Sequence, residues 1–272
     1  GDLALGTSRE RRAGYDDAVS IYATHSRAIY QTRELPTGIG LYEAYPMLLP
    51  LSYVYSYLMA GGIQEYLARV FVAALGVGTL GAAVALGAAL YGRAAGLAAG
   101  ALLALTPTFT RWASSGYTDV PAAFFVGLAT LFAWRLRERG RASDAALAGV
   151  MTGLAAWTKN SALVVGVSLL LWLAYLRWRG PQRISLGAAA WALAGVGITA
   201  GPWYARNLIE FGYLIPDTAW TEQAQRTLAN LIPFAAHWDQ FFLPGIVFTL
   251  GTLWAVVEAA RGRGAVRDAS AL

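Results

Sequence analysis

The 272-residue sequence contains no cysteine, a single lysine, two histidines and few charged residues of any kind. Without cysteine, the chain can form no disulfide bond, thiolate metal site or cysteine nucleophile. Charged residues make up 14% of the chain, against about 25% in a typical soluble domain. Hydrophobic residues make up 57%, and the mean hydropathy is +0.45. This composition favours a polytopic membrane protein over a soluble one.

Apolar stretches long enough to cross or nearly cross a bilayer cover residues 68–90, 94–110, 120–136, 145–157, 160–176, 184–203 and 241–260. They predict an all-α fold, a polytopic transmembrane helix bundle of about seven spans that forms a single domain over residues 1–272. Six spans lie within 68–203, and loops 1–67 and 204–240 lie on one side of the membrane. The odd span number and the absence of a start methionine lead us to expect a fragment of a longer protein.

Arginine is distributed unequally between the two predicted sides. One side has 11 arginines against three acidic residues, and the other has 9 basic and 12 acidic residues. The arginines of the first side are Arg93, Arg135, Arg137, Arg139, Arg141, Arg177, Arg179, Arg183, Arg261, Arg263 and Arg267. Basic residues collect in cytoplasmic loops, so loops 1–67 and 204–240 are predicted to be extracytoplasmic at the plasma membrane. Topology accounts for the net charge of +5, which therefore gives no indication of nucleic-acid binding.

Residues 145–176 can be interpreted as one long span or as two short arms. The polar sequence at 157–160 interrupts the apolar run. A hairpin puts the arginine-rich segments 135–144 and 177–183 on the same side, so we predict the hairpin. In the first loop, residues 16–31 have the spacing of an amphipathic helix at the membrane surface. Residues 46–60 are apolar and short, which predicts an interfacial or re-entrant helix.

The ionisable residues that could carry chemistry lie on the predicted extracytoplasmic side. Asp16 and Asp17 could cap the amphipathic helix, or one could act as a general base on an acceptor hydroxyl. Asp119, immediately before a span, has the same two interpretations, with the N-cap favoured for this residue taken alone.

Two cations are expected at the same surface. Lys159, at the tip of the hairpin, could simply extend its side chain to the interface, or it could bind a lipid phosphate. Arg206 could anchor a helix end at the interface or bind an anion in the same way.

Glu43 and the two histidines are the remaining candidates. Glu43 and His237 could share a divalent cation, although two ligands without a spacing pattern are a weak signal. For His25 and His237 we favour solvated side chains over metal ligands. No cofactor is predicted beyond this metal ion.

Five elements resemble, in order, the C-superfamily membrane glycosyltransferases, and more closely the protein O-mannosyltransferases and aminoarabinose transferases. They are Tyr15–Ser20, Glu43–Pro46, Tyr117–Pro121, Leu154–Lys159 and the Pro202–Asn207 segment with Phe211, Gly212 and Pro216. They span about 200 residues. The chain departs from the family pattern at Asp17, where glutamate is frequent, and at Ala44, where a basic residue is frequent.

The resemblance implies a polyprenyl-phosphate sugar donor, a protein, lipid or glycan acceptor and inversion of the anomeric centre. It implies that Asp16 is the catalytic base, assisted by Asp17 or Asp119. Lys159 and Arg206 would bind the donor phosphate, and Glu43 would lie in the cavity, near any metal ion. The alternatives are a transporter or flippase of lipid-linked saccharides, and an inactive scaffold. The near absence of ionisable residues within the spans favours the transferase over the transporter.

Overall fold

The computed structural model describes residues 18–35, 43–181, 183–215, 250–251, 253–254 and 257. Every regular element among these residues is helical. The chain divides into two compact units, one made of Gly1–Thr79 and Trp112–Pro216 and the other of Leu80–Arg111 and Asp217–Leu272. The all-α prediction is therefore confirmed for the described part of the chain.

The first unit begins with a layer of short helices. A π-helical turn, Ala18–Ala23, continues into α1, Thr24–Thr32, and a turn then leads to α2, Leu48–Ala60. The next helix, α3, runs from Glu65 to Tyr91. These elements confirm the predicted helix at 46–60 and, over the described residues 18–31, the one predicted at 16–31, but the apolar face of the latter is not free to lie in lipid. Ile21 and Tyr22 are buried in one cluster with Leu49, Tyr53 and Val72.

Four helices make the main bundle of the first unit: α6, Asp119–Arg139; α7, Ala142–Thr158; α8, Leu163–Trp178; and α9, Leu186–Phe211. They follow α4, Arg93–Ala104, and α5, Pro107–Ala113, in the chain. Gly140 ends α6 in the left-handed conformation, with φ of 63°, which glycine adopts without strain. Ser185 caps α9, because its hydroxyl accepts from the Ala188 amide at 3.0 Å.

The predicted hairpin at 157–160 is confirmed. Helix α7 ends at Thr158, a 3₁₀ turn covers Asn160–Ala162, and α8 then begins. Ala145, near the start of α7, and Leu173, near the end of α8, belong to one buried cluster. A single continuous helix would separate these two residues by about 42 Å. The chain therefore reverses, and the arginine-rich segments after α6 and α8 lie at the same end of the bundle.

Helices α7 and α9 approach each other closely through small residues. A Cβ atom added to Gly195 would lie 2.7 Å from the Val150 nitrogen and 2.8 Å from the Ala146 oxygen. On the facing helix, a Cβ at Gly149 would overlap the carbonyl oxygen of Ala192. Small residues at such crossings allow membrane helices to pack backbone against backbone. This packing sets the distance between the last turn of α7 and the end of α9.

The second unit contains the C-terminal part of α3, then α4, Arg93–Ala104, and most of α5, Pro107–Ala113. Gly92 has φ of 89° at the turn between α3 and α4. The predicted span 94–110 is therefore wrong as a single helix, since α4 ends before Pro107. Proline is favoured at the first position of a helix and cannot continue an existing one without losing a backbone hydrogen bond.

Three helices of the described part are long and apolar enough to cross a membrane: Glu65–Tyr91, Asp119–Arg139 and Asn160–Trp178. They confirm the predicted spans 68–90, 120–136 and 160–176, and with them an integral membrane protein. Helix α7, with 17 residues, is about 26 Å long, somewhat less than the roughly 30 Å of a hydrocarbon core. Most of the predicted span 241–260 lies outside the described residues, so a total of seven stays a prediction.

Candidate functional site

Asp119 is the first residue of α6, and the N-cap position belongs to Thr118. The Thr118 carbonyl accepts the first helical hydrogen bond, from the Ala122 amide at 2.9 Å. The interpretation of Asp119 as an N-cap is therefore wrong by one residue. Its carboxylate lies in the first helical turn, where a negative charge is favoured by the helix dipole.

Lys159 pairs with Asp119. The lysine Nζ lies 2.5 Å from Oδ1 of Asp119, so the tip of the α7–α8 hairpin is joined to the start of α6. Both side chains keep contact with solvent, with 37% and 46% of their surfaces exposed. Lys159 is thus held by a carboxylate partner rather than simply extended to the interface, and the pair can still be reached by a ligand.

The loop before Asp119 is fixed by tyrosines of the first layer. The Tyr22 hydroxyl lies 3.1 Å from the Thr118 hydroxyl, and the Tyr53 hydroxyl donates to the Gly116 carbonyl at 3.2 Å. Burial raises the pKa of Tyr53, and Arg69 acts in the opposite direction. The Tyr53 phenol therefore remains a hydrogen-bond donor at neutral pH. The Thr118 hydroxyl is engaged by Tyr22 and makes no capping bond to α6.

Arg206 lies near the end of α9, and only 12% of its side chain is exposed. Its guanidinium lies 2.7 Å from Glu210, donates to the Glu43 carbonyl at 3.2 Å, and stands 4.8 Å from the centre of the Trp203 ring. A merely interfacial arginine would point its charge toward water, so the anchoring interpretation is wrong. Arg206 instead connects α9 to the loop that contains Glu43.

The tip of the hairpin and the end of α9 are joined by Tyr204. Its hydroxyl lies 2.9 Å from the Ala156 carbonyl and 2.9 Å from Oδ1 of Asn160, the neighbour of Lys159. Trp157 and Trp203 belong to one apolar cluster at the same level. Asp119, Lys159, Glu43 and Arg206 are therefore at one end of the bundle, opposite the arginine-rich segments.

His25 is buried, with 4% of its surface exposed, and its Nδ1 lies 2.5 Å from the Ile21 carbonyl. The expectation of a solvated histidine is wrong for this residue, because His25 lies on the buried face of α1 together with Ser26 and Ile29. Among the described residues, no group of three histidine, cysteine or acidic side chains could hold a metal ion. Asp16, Asp17 and His237 lie outside the described residues, so the metal pair and the first acidic motif are not tested.

The roles of several residues of this region were not predicted from the sequence. Arg69 was assigned to the apolar span 68–90, but it lies in the second turn of α3. Burial raises the pKa of Tyr53 and Tyr57, and the positive charge of Arg69 partly opposes this rise. Asn207 and Tyr22 are buried and bond across long stretches of chain. A polar residue inside an apolar segment was the available signal for Arg69. Nothing local indicated the partners of Asn207 or Tyr22.

The long apolar helices and the charged cluster at one end of their bundle define an integral membrane protein with a polar site at its helix ends. Residues 46–200, more than half of the chain, match the dolichyl-phosphate-mannose-protein mannosyltransferase family. The chain therefore belongs to this family and is a membrane glycosyltransferase. The matched segment includes Asp119 and Lys159 and excludes Asp16, Glu43 and Arg206. Searches of curated proteins and of solved structures returned no match.

Proposed function

We propose that the protein transfers a sugar from a polyprenyl-phosphate donor to an acceptor on the extracytoplasmic side, with inversion at the anomeric carbon. The observation that carries the proposal is the pairing of Lys159 with Asp119 at the end of the bundle opposite the arginine-rich segments. A lipid-linked donor keeps its chain in the bilayer and its phosphate at the interface. This end of the bundle offers that phosphate two cations, Lys159 and Arg206.

The cations stabilise the leaving group. As the bond between the anomeric carbon and the phosphate oxygen breaks, negative charge grows on the polyprenyl phosphate. A lysine side chain acts as a compact point charge, whereas an arginine can form two parallel hydrogen bonds to phosphate oxygens. Arg206 is largely desolvated and is oriented by Glu210 and the Glu43 carbonyl, so little reorganisation is needed when the charge develops. Lys159 has to exchange part of its contact with Asp119 for the phosphate.

The base is proposed to be Asp16. It removes the proton from the acceptor as that group attacks the anomeric carbon in a single displacement, so the configuration inverts. Asp17 or Asp119 orients the acceptor or the base. The described residues nearest to this motif support the arrangement, because the helix that starts at Ala18 is bonded through Tyr22 to Thr118, directly before Asp119. Glu43 would lie in the same cavity.

The test uses protein reconstituted into lipid and a small panel of polyprenyl-phosphate sugars, mannose included. Released polyprenyl phosphate and glycosylated acceptor are measured by mass spectrometry, and the anomeric configuration of the product by NMR. Asp16→Asn should reduce turnover by about 10²–10⁴-fold, the usual contribution of a general base, and leave donor binding unchanged. Glu138→Gln, which replaces an exposed carboxylate at the arginine-rich end, is the control, and its turnover should equal that of the wild-type protein.

Each contrary result would exclude a different part of the proposal: the base, the transferase reaction or the inversion. Near-normal turnover of Asp16→Asn would remove Asp16 from the role of base. A donor that is bound and moved between leaflets, with its sugar–phosphate bond intact, would indicate a flippase instead. Retention of configuration would exclude the single displacement.

A further inference from the structure

Asn207, the neighbour of Arg206 in α9, is a completely buried polar residue. None of its surface is exposed, and its Nδ2 donates to the Ala44 carbonyl at 2.9 Å and to the Leu214 carbonyl at 3.3 Å. Carbonyl oxygens only accept hydrogen bonds, so the nitrogen of the amide must face them. Each of the two amide hydrogens therefore has its own partner.

The two carbonyls belong to different loops. Ala44 follows Glu43 in the loop before α2, and Leu214 follows the turn at Gly212 that ends α9. Arg206, one residue earlier in α9, donates to the Glu43 carbonyl. Two consecutive residues of α9 thus donate hydrogen bonds to two consecutive residues of the first loop. Asn207 also donates to the segment that follows α9.

We infer that Asn207 is a positioning residue, which fixes the loop of Glu43 against α9 and keeps the Arg206 guanidinium in place for the donor phosphate. The inference rests on the proposed function of Arg206. Without the amide, the buried Ala44 carbonyl loses its donor, and the half-exposed Leu214 carbonyl loses its bond to α9. The first loop then has to move for the Ala44 carbonyl to find another donor. Glu43 and the orientation of Arg206 move with it, although neither side chain is altered.

Asn207→Asp tests this with a side chain of nearly the same shape that replaces the donor by an acceptor. We expect kcat/KM for the donor to fall by up to about 100-fold, the loss that a misplacement of about 1 Å can cause. The donor KM should rise and the acceptor KM should stay unchanged. Hydrogen–deuterium exchange should become faster at residues 43–47 and 212–215, with protection kept in α6 to α8.

Trp172→Phe is the matched control. It removes a hydrogen bond of the same length, 2.9 Å, from a side chain to a backbone carbonyl, that of Ala133, far from Arg206 along the bundle. The control should lower thermal stability, with the donor KM and the exchange of residues 43–47 unchanged. A residue with only a structural role would behave as Trp172 does.

The inference is overturned if Asn207→Asp lowers kcat at an unchanged donor KM, or if exchange accelerates uniformly along the chain. If the wild-type protein releases no polyprenyl phosphate from any donor of the panel, the proposed function fails. The hydrogen–deuterium exchange measurement then tests the positioning role by itself. Faster exchange confined to the two loops would then support the hold of Asn207 on them, and unchanged exchange there would refute it.

Discussion

The two ends of the α6–α9 bundle both contain charged residues, but these residues are held in different ways. At the arginine-rich end the contacts are local in sequence: Arg137 lies over Trp134 at 4.6 Å, and the Trp134 indole donates to Glu138, four residues later. At the opposite end, Lys159 contacts a residue 40 positions away, and Arg206 contacts one 163 positions away.

Under the proposed function, this difference separates arginines that determine membrane topology from charged residues that form the donor site. Arginines at the first end need only be near a helix end on the correct side of the membrane, so neighbours along the helix suffice. At the second end, opposite charges from separate helices meet, and each group limits the position of another. Such an arrangement is needed where a ligand has to be bound in one orientation.

The largest effect is expected in a topology test of the two ends, because labelling of each end is all or none. The chain has no cysteine, so single cysteines introduced at Ser115 and Ser143 are the only thiols in each variant. A membrane-impermeant thiol reagent added to intact cells should label Ser115→Cys and not Ser143→Cys. Both should be labelled after the membrane is opened. The reverse pattern would invert the topology and place the site in the cytoplasm.

The next largest effect, on both stability and activity, is expected where α7 crosses α9, because this crossing lies between the two ends of the bundle. Gly149→Ala places a methyl group against the Ala192 carbonyl, so the helices must separate. Overpacking of this kind costs about 1–3 kcal/mol or more, and we expect a clear fall in the thermal unfolding temperature together with loss of activity.

Gly197→Ala, in α9, is the control for that substitution, since nothing lies within 4 Å of a Cβ atom added there. It should leave stability the same or slightly higher, because alanine is favoured over glycine in a helix. Equal destabilisation by the two substitutions would mean that the close crossing does not determine stability.

A smaller effect, confined to function, is expected at the exposed ion pair. Lys159→Gln should weaken donor binding by about 10–100-fold, the equivalent of one or two charge-assisted hydrogen bonds. Stability should fall by less than about 1 kcal/mol, because exposed ion pairs contribute little to folding. Donor titration and thermal unfolding measure the two effects.

Arg139→Gln, which removes an exposed cation at the other end, is the matched control and should leave donor affinity unchanged. If both substitutions weaken donor binding equally, the donor is attracted by overall charge rather than bound at Lys159.

The smallest effect is expected for Tyr22→Phe, which deletes the hydroxyl next to Thr118 and keeps the aromatic ring. One lost hydrogen bond corresponds to about 1 kcal/mol of stability, and the loop before Asp119 should loosen enough to reduce turnover several-fold. Tyr175→Phe, with a more exposed ring near the end of α8, should have no measurable effect on either quantity. Full activity in Tyr22→Phe would show that this contact does not orient Asp119.

Much of the fold follows from local pattern. The helices at 18–32, 48–60, 119–139 and 163–178 match runs of apolar residues with polar interruptions, and the hairpin at 157–160 follows from the requirement that both arginine-rich segments face one side. The break between α4 and α5 within 94–110 has little local signal, because the hydropathy there is continuous and only Pro107 marks it. Burial of His25 depends on the packing of α1 against α2, which no local pattern contains.

The sequence by itself determined that the protein is a membrane-embedded helical bundle, which side of it collects arginine, and which ordered motifs resemble a glycosyltransferase. These properties depend on composition and on neighbours along the chain. Only the tertiary structure decided that Lys159 meets Asp119 and that Arg206 reaches the Glu43 carbonyl. It also decided that Asn207 bonds to the loop that contains Glu43. The physical reason is that these contacts are made by groups far apart in sequence, and their distances are set by how closely the helices pack.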